Sequence, residues 1–231
     1  MAAQKKILMM INIKYLELRS HTYGLFAGLI SQPINEITWQ QLNQWAKRAG
    51  KCGFLTPMQT WIIKNEKLPN NGLTHMAVDY ARLFTGIAQE YGPPPPYEHL
   101  YRENLEPSSC RTAVIQCYKN SNVKPFDPYH NVSDHIVSEL QYMSTLSLKQ
   151  IHSDNLLSNM KRDENKIVIL ISEQQSFLQH HLLSWVHLWR NRIREQKNNL
   201  SFYSYMIDAL VCFIEQDLKY LGDNNTAHGK T

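Results

Sequence analysis

The sequence predicts an all-α protein, a single globular multi-helix domain of two helical lobes joined by a linker. Three observations carry this. Its 231 residues include only 9 Gly and 10 Pro, roughly 8% of the chain, where average usage supplies about 12%. Every proline lies at or before Pro128 and no glycine falls between Gly92 and Gly222, so residues 129–221 contain neither. A sandwich or barrel needs turn signals every 8 to 12 residues or so, whereas the apolar residues here recur three or four apart, the period of a helix face.

The elements follow in order. A first helix spans about 12–30, with Tyr15, Leu18, Thr22, Leu25, Phe26 and Leu29 on one face, and Ser31-Gln-Pro33 ends it. Thr38 caps a second helix whose stripe is Trp39, Leu42, Trp45, Ala46 and Ala49, and Gly50 stops it. Pro57 opens a third over 57–64, closed by Pro69 and Asn70-Asn-Gly72. Met76, Tyr80, Leu83, Phe84 and Ile87 give a fourth over 73–91, weakened near its end by Gly86. The run Gly92-Pro-Pro-Pro-Pro96 is then forced into extended or polyproline geometry, because each proline fixes its own φ and pushes the preceding residue out of the α region. A rigid surface elbow is expected there.

Helix resumes over about 107–118. Residues 119–133 hold two prolines and several asparagines without any period, and they are the linker between an N-terminal lobe of about 12–118 and a C-terminal lobe of about 134–222. Ser133 or Asp134 caps the next helix, which places Ile136, Val137, Leu140, Met143 and Ser147 on one face. Residues 174–194 repeat the pattern with Phe177, Leu178, His181, Leu182, Trp185, Leu188 and Trp189, and residues 201–221 with Phe202, Met206, Leu210, Phe213, Ile214 and Leu221. The β-like run Lys166–Ile171 has no second strand to pair with and reads as the buried start of the following helix.

Composition bounds function. With 43% hydrophobic and 19% charged residues the chain is an ordinary globular one, and a net charge of +4 is too small and too spread out to imply nucleic acid. Cys52, Cys110, Cys117 and Cys212 form no CxxC pair and no metal-ligand spacing, which fits free thiols in a reducing, cytoplasmic compartment. The apolar run Ile7–Ile11 after Lys5 and Lys6 is shorter than the ~7 to 15 residues of a signal-peptide core and lacks a cleavage site. No stretch approaches the ~20 apolar residues of a membrane span, so the sequons at Asn131, Asn199 and Asn224 read as chance matches.

Catalysis finds little support, since there is no Gly-rich phosphate loop, no G-x-S-x-G elbow and no HExxH. No cofactor is implied. His180 and His187 share a helix face but sit ~10 Å apart, too far for one ion, so His180, His181 and His187 read as solvated or core residues. Trp185, Trp189, Arg190, Arg192, Arg194 and Lys197 interleave rings and cations, which would suit a helical nucleic-acid regulator. The simpler reading is a core helix whose C-terminal cations complement its dipole.

Two segments ask for more than a structural account. Tyr80 and Phe84 end the fourth helix, and beyond the elbow stand Pro96, Tyr97 and Tyr101. This is either a preorganised apolar surface for a peptide or a tightly packed corner. The second is Asp134-His135 with Glu139 four residues on: capping accounts for Asp134, while His135 and Glu139 stand where a carboxylate favours a protonated imidazole.

Together these segments resemble the TorD/DmsD family of redox-enzyme maturation chaperones. The resemblance rests on Tyr80-x-x-Leu83-Phe84-x-Gly86, on Pro96-Tyr97 to Tyr101, on Asp134-His135 with Glu139-Leu140 and Met143, and on Phe177-Leu178-x-x-His181-Leu182-x-x-Trp185, in order along about 15–221. It implies an all-helical cytoplasmic protein that is not an enzyme. Such a protein binds the twin-arginine signal peptide, and often the body, of an apo molybdoenzyme of the DMSO or trimethylamine N-oxide reductase kind. It assists insertion of the molybdenum cofactor and prevents premature export. Pro96, Tyr97, Asp134 and His135 occupy the positions tied to leader binding; Val132 and His99 depart from the residues common there.

A twin-arginine peptide brings guanidinium groups and an apolar stretch. Asp79, Glu98, Asp134 and Glu139 are the expected carboxylates, and Tyr80, Tyr97 and Tyr101 with Phe84 the expected aromatic groove. The linker is where helix exchange between two copies would form a homodimer.

Overall fold

The computed structural model describes residues 2–51, 53–86, 92–124, 133–156, 164–196 and 201–228. They form helices α1 (Ala2–Ser31), α2 (Glu36–Arg48), α3 (Thr56–Lys64), α4 (Gly72–Phe84), α5 (Pro107–Asn120), α6 (Ile136–Leu156), α7 (Glu164–Phe177), α8 (Leu183–Arg194) and α9 (Phe202–His228). The architecture is all-α. Short 3-10 turns occur at Gly53–Leu55 and Glu98–Leu100, and a π-helical turn, Leu178–Leu182, joins α7 to α8. Ile87, linker residues 125–132, Cys52 and Lys197 lie outside the described residues.

One hydrophobic core draws on helices from Tyr23 in α1 to Leu221 in α9. Helix α1 lies lengthwise on α6, and α9 packs against α3, α7 and α8. The α1–α6 contact is close because small residues face each other: Ser144 Oγ donates to the Ser20 carbonyl at 3.0 Å, and Ser20 Oγ reaches the Ser144 carbonyl at 3.2 Å. Residues Ile136, Val137, Leu140, Met143 and Ser147 are all fully buried, as the period of α6 requires, and the Lys166–Ile171 run is helical within α7.

Three elements correct the sequence reading. Helix α1 buries Thr22, Phe26 and Leu29 as expected, together with Leu16, Arg19, Tyr23 and Ile30, while Leu18 is 60% exposed and Leu25 is exposed. The period was masked by Arg19, a charged residue that pairs with Asp217 of α9 through Nε, donates from Nη2 to Asp217 Oδ2 and to Gln174 Oε1 (both 2.9 Å), and shares Asp217 Oδ2 with Tyr23 (2.6 Å). Removing either member of such a buried pair costs about 3–5 kcal/mol, because the other charge is left uncompensated.

The cap of α2 is Asn35, whose Oδ1 accepts from the Thr38 amide at 2.9 Å, rather than Thr38 itself. Helix α4 stops at Phe84 because Gly86 takes φ +64°, a left-handed conformation that side chains avoid and that turns the chain towards the elbow.

Candidate functional site

The elbow is bonded to the start of α6. Glu98 N–H donates to the Asp134 carbonyl at 2.9 Å, Ile136 N–H donates to the Pro96 carbonyl at 3.0 Å, and Tyr97 and His135 pair as a single antiparallel bridge. The two segments singled out in the sequence therefore meet in space. Helix α4 reaches the same place: a Cβ added at Gly86 would stand 2.8 Å from Pro95, and one at Gly92 would stand 2.0 Å from the Arg82 carbonyl oxygen. These glycines let backbone and ring approach where a methyl would collide.

The aromatic residues divide into one surface ring and a buried stack. Tyr97 is half-buried, its ring 4.8 Å from His135 and 5.8 Å from His99. Tyr101 turns inward, its hydroxyl on the Pro94 carbonyl and its ring stacked 5.5 Å from Trp185. Trp185, Trp189, Phe84 and Tyr80 continue as a chain of rings 5.9, 5.9 and 5.1 Å apart, and the Tyr80 hydroxyl is held by the Ile30 carbonyl at 2.9 Å. The packed-corner reading thus holds for Tyr80, Phe84, Pro96 and Tyr101, all buried, and Tyr97 alone of these meets solvent. They set the shape and rigidity of the elbow instead of lining an open groove.

Three of the four carboxylates, Glu98, Asp134 and Glu139, are also buried. Glu98 is fully buried; its Oε1 accepts from Arg102 at 2.6 Å and its Oε2 lies 2.9 Å from His181 Nδ1. Burial opposes ionisation of Glu98, but His181 and Arg102 outweigh it and hold the carboxyl below its ordinary range. His181 responds in kind. Burial alone would lower it, and hydrogen bonds to Cys117 and Glu98 lift it to about 9. Glu139, fully buried with Oε2 3.3 Å from Trp185 Nε1, is pushed well above the usual range by burial and by the charge of Glu98. Burial thus favours its protonated, neutral form. Asp79, the fourth expected carboxylate, pairs with Arg82 at 3.2 Å.

Asp134 does not cap α6. Its Oδ2 accepts from the His99 amide at 3.1 Å and faces His99 Nδ1 at 2.5 Å, across the junction. The cap is His135, whose Nδ1 accepts from the Val137 amide at 3.2 Å. An accepting Nδ1 carries no proton, and burial, against the pull of Asp134, lowers His135 to about 4. The protonated His135 expected beside Glu139 is replaced by a neutral imidazole beside a carboxyl whose ionisation burial opposes.

Sequence reasoning missed the second half of this cluster. The π turn presents His181 to Glu98 and to Cys117 Sγ, 3.6 Å from Nε2, and Arg102 caps the His180 carbonyl at 2.7 Å. A π turn in a helix is a frequent mark of a functional position. The histidine-rich spelling of this stretch and the place of His181 in its motif were the signals for it. Trp185 and Trp189 are fully buried, so they give no stacking platform for bases, and Arg194 and Arg192 are engaged by Asp208 and Glu195. The nucleic-acid alternative is set aside on that ground. Among the described residues no helix is long and apolar enough to cross a membrane.

The fold and the site define a class of all-helical proteins in which a proline elbow is locked onto a buried Asp-His pair. Residues 37–191 match the family described as nitrate reductase delta subunit, and the chain belongs to that family. It is similar to the chaperone protein TorD of Aliivibrio salmonicida, 22% identical over 218 residues, and to that of Aliivibrio fischeri, 23% over 216; each alignment covers 89% of this chain and 95% of the relative. The chaperone protein TorD of Photobacterium profundum is 23% identical over 164 residues, 69% of each chain. No solved structure matches the chain. The resemblance to TorD/DmsD chaperones seen in the motifs is borne out by these matches, and the relatives are named as chaperones rather than enzymes.

Proposed function

We propose that this protein is a cytoplasmic, non-enzymatic chaperone that binds the twin-arginine leader, the body, or both, of an apo molybdoenzyme of the DMSO or trimethylamine N-oxide reductase kind. It holds that client for insertion of the molybdenum cofactor and delays export. The observation that supports this best is the hydrogen-bonded junction between Pro96-Tyr97 and Asp134-His135, which brings these motif residues together with Tyr97 at its solvent edge. Tyr97 is the contact ring there, with exposed Leu100 and Leu105 following it for the apolar part of a leader. Tyr80, Phe84, Tyr101 and Glu139 act from beneath, by fixing the elbow.

The N-terminal residues to 118 and the C-terminal residues from 134 work as one unit on this reading, since α1 packs on α6. Exchange of helices through residues 119–133 gives a homodimer at high concentration.

Copurification tests the role. The tagged chain, expressed beside a twin-arginine molybdoenzyme precursor lacking its cofactor, retains that precursor and releases it once the cofactor is inserted. Retention no greater than that of an unrelated tagged helical protein refutes the proposal.

A further inference from the structure

We propose that Arg111 is an internal stand-in for the arginine of a client leader: it occupies the Asp134 site in the free protein, and the leader binds by displacing it. This rests on the leader-binding reading above.

The two oxygens of Asp134 are unequal. Oδ2 has two partners, both from His99, whereas Oδ1 is buried and has no hydrogen bond. Its cation is Arg111, whose Nε stands 3.6 Å away, within ion-pair range but too far to share a proton. A buried carboxylate oxygen left in that state is poorly compensated and gains from any donor that comes closer.

Arg111 is also the cation best able to leave. Its side chain is 45% exposed on α5, and its other contact is Nη2 to His99 Nε2 at 3.0 Å. Arg102, by contrast, is tied both to Glu98 and to the His180 carbonyl. Because the guanidinium is half-exposed, water accepts it readily once it swings away.

What Arg111 vacates has the pattern of a guanidinium. A guanidinium only donates, so His99 Nε2 accepts from Arg111, and the His99 proton sits on Nδ1, facing Asp134. Once Arg111 swings out, two acceptors remain side by side, Asp134 Oδ1 and His99 Nε2. A planar fork of N–H donors meets both, and a lysine ammonium, a point charge, does not match them equally. His99 therefore shapes the site, and Arg111 sets how often it is open.

When a competent state is populated only in part, apparent affinity falls by that fraction. Deleting the competitor restores it. Calorimetric titration of a twin-arginine leader peptide and of its twin-lysine version against wild type, Arg111→Gln, Asp134→Asn and the double variant decides the matter. Expected is about five- to tenfold tighter twin-arginine binding to Arg111→Gln, a smaller gain for twin-lysine, and no gain from Arg111→Gln in the Asp134→Asn background.

Unchanged or weaker binding to Arg111→Gln overturns the stand-in role while Asp134 dependence survives. Equal gains for both peptides, or the same gain with Asp134 removed, also overturn it, since the effect is then a general loss of positive charge. If Asp134→Asn binds as wild type does, it is the leader site itself that fails. The peptide comparison needs only the surface variant Arg111→Gln, so it stands even where Asp134→Asn is unstable.

Discussion

The two buried glutamates respond to the same substitution in opposite ways. Glu98→Gln removes a negative charge that holds Arg102 at 2.6 Å and His181 at 2.9 Å, and leaves both donors facing a neutral amide. Stripping one partner from a buried ion pair costs about 3–5 kcal/mol, and because Arg102 is partly exposed and turns to water, the lower figure of about 3 kcal/mol applies. For a chain of this size that is a fall in Tm of about 6–12 °C. Glu139→Gln keeps an acceptor for Trp185 and removes a carboxyl whose ionisation burial opposes, so it brings no comparable loss at pH 7.

The signs with pH follow from linkage. Glu98 sits below its ordinary pKa, so its contribution is present above about 4.5 and fades on acidification; His181 is raised to about 9, so its share is present below about 6.5 and fades as pH rises through 9. The deficit of Glu98→Gln is therefore widest between about pH 4.5 and 6.5 and narrows as pH rises towards 9. Glu139 is raised, so the native protein forgoes stability above pH 4.5, and Glu139→Gln gains on wild type as pH increases. Urea unfolding followed by circular dichroism from pH 5 to 9.5 measures both. Equal losses in the two variants, or a large loss only in Glu139→Gln, refute the assignment of charge in this cluster.

Further outcomes follow from the same geometry. His135 is held neutral to about pH 4 but titrates near 6.5 when unfolded, so it removes stability as pH falls across that window, up to about 3 kcal/mol; His135→Asn, which keeps an acceptor for the Val137 amide, flattens the stability profile between pH 7 and 4 by that amount. Gly92→Ala drives a Cβ into the Arg82 carbonyl and lowers stability by about 1–3 kcal/mol with loss of leader affinity. Gly28→Ala, in α1 with nothing within 4 Å of the new Cβ, raises stability by about 0.5–1 kcal/mol in the same unfolding assay.

Much of the helical scaffold was legible because it follows apolar period. Helices α6 and α9 bury the residues their spacing demands, and Pro107 sits where an opening is expected. Charged residues that go inside defeat that reading. Arg19 hides the face of α1 because its partner, Asp217, is 198 positions away and nothing local announces it. The junction of elbow and Asp134-His135 was legible as two motifs but not as a contact. Likewise, Glu98 and His181 become a pair only once the π turn and the 3-10 turn are packed, and Tyr101 faces inward because Trp185 offers it a ring.

The central claim is that a twin-arginine leader docks at the Tyr97 edge of that junction. The most direct measurement is calorimetric titration of a twin-arginine leader peptide against wild type and Tyr97→Ala, with Tm recorded for both. Tyr97 is half-buried at the surface, so the variant keeps its fold, while loss of an aromatic anchor weakens binding about tenfold or more. A folded Tyr97→Ala that binds the leader as tightly as wild type, or a wild type that does not bind it, contradicts the account.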